Sequence, residues 1–68
     1  MKRKRKEEQL INKYKDSYKI EKIGNNNYLA RKNKKGFYNT ITKLESIKEE
    51  DINRLIIKDI KENGKPEV

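Results

Sequence analysis

Residues 17–44 read SYKIEKIGNNNYLARKNKKGFYNTITKL, and this stretch decides the fold. It holds the β-branched and aromatic residues that suit a pleated, half-buried surface. Two clusters of turn formers interrupt it: Gly24-Asn25-Asn26-Asn27 and Asn33-Lys34-Lys35-Gly36. Asn and Gly tolerate positive φ and bond back to their own backbone, so such clusters mark turns between strands. The pattern predicts three short antiparallel strands over residues 18–23, 28–32 and 37–42.

Register counting then assigns faces. With 33–36 as a four-residue loop, 32 opposes 37, 30 opposes 39 and 28 opposes 41. One face carries Tyr28, Ala30, Phe37 and Ile41, the expected core. The other carries Leu29, Arg31, Tyr38, Thr40 and Thr42, the expected outer surface. The period of two makes the split follow from the register. In the first strand Tyr18, Ile20 and Ile23 share no single phase, which predicts a bulge or an early strand end.

C-terminal to the strands, residues 46–63 read as a helix. Ser46-Ile47-Lys48-Glu49 has the form of a capping box, in which hydroxyl and carboxylate satisfy each other's backbone amides. Glu49, Glu50 and Asp51 suit the positive end of the helix dipole. Ile52, Leu55, Ile56 and Ile60 form an apolar stripe expected to cover the Tyr28/Phe37/Ile41 face. Ile57 falls at the margin of that stripe, as added core or as an exposed contact. Gly64 suits the position after the helix, and Pro66 blocks its continuation. On the N-terminal side, Leu10, Ile11 and Tyr14 predict a short helix over 7–16, and residues 1–6 are a dense run of cations expected to form a flexible arm. The expected class is therefore α+β, a three-stranded antiparallel β-meander packed against a C-terminal α-helix with a short N-terminal helix. Residues 1–6 are the arm, 7–63 a single small domain, and 64–68 a tail.

At 68 residues the chain has room for one small core, so a partner or second copy would add needed burial. It contains no cysteine and no histidine, which removes disulfides, thiolate metal sites and the commonest general base. No apolar run is long enough to span a bilayer, and no apolar segment follows the basic start as in a secretory signal. These features predict a cytoplasmic protein without cofactor, metal or membrane partner. Catalysis is not expected either: Ser17 and Ser46 have no histidine to activate them, and Glu49–Asp51 are explained by the helix start.

The constructive signal is cationic. Of the net charge of +8, residues 1–35 carry +9 and residues 36–68 carry −1. Lys19, Lys22, Arg31, Lys32, Lys34 and Lys35 interleave with Tyr18, Tyr28 and Tyr38. Cations neutralise phosphates while aromatic rings stack or wedge between bases. The expected nucleic-acid contacts are Lys2, Arg3, Lys4, Arg5 and Lys6 of the arm, with Arg31, Lys32, Lys34, Lys35, Tyr38 and Thr40 of the sheet. Arg31 is the expected base reader, bidentate to guanine, and the hairpin lysines the expected phosphate clamps.

Tyr28, Arg31, Gly36 and Ile41, spaced by three, five and five residues ahead of a helix, give a resemblance. The chain resembles the arm-type-site DNA-binding domain at the N-terminus of phage and transposon tyrosine recombinases. The resemblance covers residues 1–63. It implies three strands and a helix, with the sheet in the DNA major groove and Arg31, Tyr38, Thr40 and the hairpin lysines at the DNA. Two departures are the longer run from Ile41 to the helix and the extra helix at 7–16. The recombinase catalytic domain has no counterpart, so the resemblance implies a bare domain or a free-standing relative. The expected function is that of a small nucleic-acid-binding accessory protein of a phage or mobile element, with DNA ahead of RNA as the partner. The alternative is a small phage-type protein-binding module or inhibitor of a host protein, a homodimer through an exposed strand edge or Ile57.

Overall fold

Two turns cut the central stretch into three antiparallel strands, as the sequence predicts. The computed structural model describes the backbone of residues 2–67 and the side chains of residues 6–67. The chain runs through α1 (Lys2–Tyr14), a 3₁₀ turn (Lys15–Ser17), β1 (Tyr18–Ile23), β2 (Asn26–Lys32), β3 (Tyr38–Leu44) and α2 (Glu49–Asn63). The strands form one sheet in the order β1-β2-β3. Gly24 and Asn25 make a two-residue turn, with Ile23 opposite Asn26 and Gly24 at φ +63°. Positive φ at the first turn position, with none at the Asn, is the pattern that matches hairpin twist in a Gly-X turn. The second connection is pinned by Asn33. Its Oδ1 accepts hydrogen bonds from the amides of Lys35 and Phe37 at 2.9 and 3.0 Å.

The register differs from the sequence expectation, and the difference inverts the sheet. The second loop holds five residues, so Lys32 opposes Tyr38 and not Phe37. A bulge follows: Ala30 pairs with Thr40 but Leu29 pairs with Thr42, which leaves Ile41 as the extra residue of β3. The core lies on the Leu29 side. Tyr14, Tyr18, Leu29, Leu44, Ile56 and Ile60 form one buried cluster, with Leu10, Ile52 and Leu55 packed against it. The α2 stripe is the predicted one, but it covers Tyr18, Leu29 and Leu44 instead of Tyr28, Phe37 and Ile41. Phe37 is 67% exposed. Leu29 outcompetes Tyr28 as the central residue because it buries a wholly apolar side chain, a gain of about 1.5–3 kcal/mol, without stranding a hydroxyl. The first strand needs no bulge, since β1 pairs with β2 without a break.

Both helices depart from expectation at their starts. α1 begins at Lys2, where the sequence predicts a separate arm, so the backbone of residues 2–6 belongs to the helix. Lys, Arg, Glu and Gln are good helix formers, so the run favours helix over an extended arm. α2 is capped by Lys48, whose carbonyl accepts from the amides of Asp51 and Ile52. Ser46 lies two residues upstream and takes the Lys48 amide instead, at 3.2 Å, so the predicted capping box is not formed. Gly64 ends the helix as expected, at φ +85° with its amide on the Ile60 carbonyl. Ile57 is only 6% exposed and so is core, not a contact surface. Among the described residues no helix is long and apolar enough to cross a membrane.

Candidate nucleic-acid interface

Both helices pack on the Leu29 side, which leaves the opposite face of the sheet open. By alternation from Leu29, that face carries Lys19, Glu21 and Ile23 on β1, Tyr28, Ala30 and Lys32 on β2, and Tyr38, Thr40 and Lys43 on β3. Lys19, Lys32, Thr40 and Lys43 are exposed, and Tyr28 and Tyr38 are half-buried. Ala30 lies between Lys19 and Thr40 in register and is fully buried. Its small side chain leaves room for Lys19 to reach across it. The Lys19 Nζ sits 4.3 Å from the centre of the Tyr38 ring. Such a contact is worth about 0.5–1 kcal/mol at an exposed site and holds the ring in place. Lys19 also lies 3.9 Å from Glu21, and the Tyr38 hydroxyl donates to the Asp16 carbonyl at 3.4 Å.

Lys34 and Lys35 extend the cationic surface at the exposed hairpin tip, beside Lys32. Lys34 meets Glu67 at 3.4 Å, but both side chains are well exposed, so the pair is screened and weak.

Arg31 is not on this surface. The register places it with Leu29 on the helix side, opposite Tyr18. Its guanidinium donates to Asp59 Oδ2 at 2.7 Å and to the Gly64 carbonyl at 3.0 Å. Asp59 is 7% exposed and also accepts from the Tyr18 hydroxyl at 2.5 Å and from Asn63 at 2.8 Å. Burial opposes the charge on Asp59. The hydrogen bonds from Tyr18, Asn63 and Arg31, with the Arg31 charge, outweigh it and hold the carboxyl below its usual range. Burial, then the Asp59 carboxylate, push the Tyr18 hydroxyl well above its usual pKa. The expectation that Arg31 reads bases and that Tyr18 stacks is therefore corrected: both are committed to a buried network. The pairing of Arg31 and Tyr38 on one face fails for the same reason, the longer loop.

Of the other predicted residues, Lys32, Lys34, Lys35, Tyr38 and Thr40 come together on the open face and its tip. Lys6 is exposed on α1, in a groove with Lys13 and Lys65. The side chains of Lys2, Arg3, Lys4 and Arg5 lie outside the described residues. Sequence reasoning missed Lys43 as a surface cation and Asp59 as a network centre. Lys43 follows from the correct register. Asp59 carried a signal, since it stands at i+7 from Ile52 in the middle of the apolar stripe, where an ordinary solvated carboxylate does not belong.

No protein-family model matches the chain, and no curated protein and no solved structure is significantly similar to it.

Proposed function

We propose that the chain binds nucleic acid, duplex DNA ahead of RNA, through the open face of the sheet and its hairpin tip, as an accessory protein of a phage or mobile element. One observation carries the reading. An uncovered three-stranded surface presents Lys19, Lys32 and Lys43 around Tyr28, Tyr38 and Thr40 and continues into Lys34 and Lys35; among the described residues Glu21 is the one acid of its strands, and Glu67 sits against Lys34 at the tip. Three strands at about 4.8 Å spacing suit a major groove about 12 Å wide. In this reading the lysines take phosphates and Thr40 and Tyr38 meet base edges. Arg31 has no part. The phage or mobile-element origin rests on the recombinase-domain resemblance in strand and helix order alone.

Fluorescence anisotropy with duplex DNA across a salt series tests the proposal. Log affinity should fall linearly with log salt. Changing Lys32, Lys34 and Lys35 together to Gln should reduce that slope by about 2.7, at 0.9 per phosphate contact. A folded chain that shows no binding at low salt refutes it. The second reading, a protein-binding module, is favoured by the exposure of Phe37 and Ile47 beside the sheet ends.

A further inference from the structure

β1 is an edge strand whose outer side is open. Among the described residues, the Tyr18 amide at the start of β1 bonds to the Lys15 carbonyl of the preceding 3₁₀ turn, and no other backbone hydrogen bond outside the helices and strand ladders comes from β1. From Lys19 onward its outward amides and carbonyls therefore form a template for another strand. Ile20 points to the helix side, opposite Leu29, yet is 44% exposed because nothing lies beyond the edge. Native edges are commonly blunted by Pro, a bulge or charged side chains; β1 has no Pro and no bulge, and its Lys19 and Lys22 keep out a strand that offers no opposite charge.

We propose that β1 pairs antiparallel with β1 of a second copy about a twofold axis at Ile20, giving a six-stranded sheet with all helices on one side. The strand's own charges select both the occupant and the register. With Ile20 opposite itself, Lys19 stands opposite the partner subunit's Glu21, and Glu21 opposite the partner subunit's Lys19. Two opposite-charge pairs then flank an Ile–Ile pair, each a favourable cross-strand combination. Axes centred on Lys19 or Glu21 set identical charges against each other. An axis between Ile20 and Glu21 sets Lys19 against Lys22. Opposing residues in an antiparallel pair share a face, so Ile20 would shield its counterpart at the margin of the two cores. The dimer also makes one continuous open face from two. It needs no nucleic acid and stands independently of that reading.

Sedimentation equilibrium over a concentration series tests this. The native chain should pass from 8.2 kDa to twice that mass. Glu21→Lys and Lys19→Glu should each remain monomeric, because each sets like charges opposite. Mixing the two variants should restore the doubled mass, and so should the charge swap K19E/E21K in one chain. That recovery cannot come from misfolded singles. A native chain that stays monomeric to about 1 mM overturns the proposal. So does a native dimer that Glu21→Lys leaves intact, or single variants that stay monomeric when mixed.

Discussion

Replacing Arg31 by Met tests whether this residue holds the fold or reads a ligand. The guanidinium side chain is 20% exposed and the Asp59 side chain 7%. Removing one partner of a buried pair costs about 3–5 kcal/mol because the other charge is left behind. Asp59 keeps its bonds from Tyr18 and Asn63, which points to the lower end, about 3 kcal/mol. A chain of this length has a total stability of about 3–10 kcal/mol at 0.05–0.15 kcal/mol per residue, so the loss is a third of it or more. Urea unfolding followed by far-ultraviolet circular dichroism measures it. The loss should be large at pH 7 and shrink near pH 3, where protonation removes the stranded charge. R31M/D59L should recover much of it, leaving the buried Tyr18 hydroxyl short of an acceptor while the exposed Asn63 amide and Gly64 carbonyl turn to water. A loss below about 1 kcal/mol at pH 7, the range of an exposed ion pair, would show that the network does not anchor α2 to the sheet. Under conditions where Arg31→Met is folded, its nucleic-acid affinity should match the native chain's, the opposite of what a base reader gives.

The pH profile follows from the same network. The lowered pKa of Asp59 contributes stability that is present above the unfolded carboxyl value, about 4, and is lost as pH falls through the folded value. The raised pKa of Tyr18 contributes stability that is present below about pH 10 and is lost as pH rises beyond it. The melting temperature should therefore fall on both sides, and Asp59→Asn should flatten the acid limb; an unchanged acid limb in that variant contradicts the assignment. Leu29→Ala should cost about 2–5 kcal/mol in urea unfolding, whereas Phe37→Ala, at an exposed site, should stay within about 0.5 kcal/mol. Equal costs would mean the core lies on the other face. Gly64→Ala should cost about 1–3 kcal/mol from backbone strain alone, because a Cβ there meets no atom within 4 Å. A neutral result would show that the chain leaves α2 with a different backbone.

The strands, their turns and the α2 stripe were legible because they rest on local chemistry. Gly24 and Gly36 supply positive φ, Asn33 bonds its own loop, and Ile52, Leu55, Ile56 and Ile60 repeat at helical spacing. Nothing local fixes whether a loop such as 33–37 closes on four residues or five, and one residue moves every later side chain of β3 to the other face. The bulge at Ile41 then shifts the phase again, so no single period runs through that strand.

The sequence by itself determined three antiparallel strands, a closing helix and a surplus of positive charge in the first half, since each depends on neighbours along the chain. Only the tertiary structure decided which side of the sheet is covered. Leu29 sets that choice together with Tyr18, Arg31 and Asp59, which come from three elements and share the same buried space. A guanidinium that finds a buried carboxylate there is no longer free for any ligand, and the open face passes to Lys19, Lys32 and Lys43.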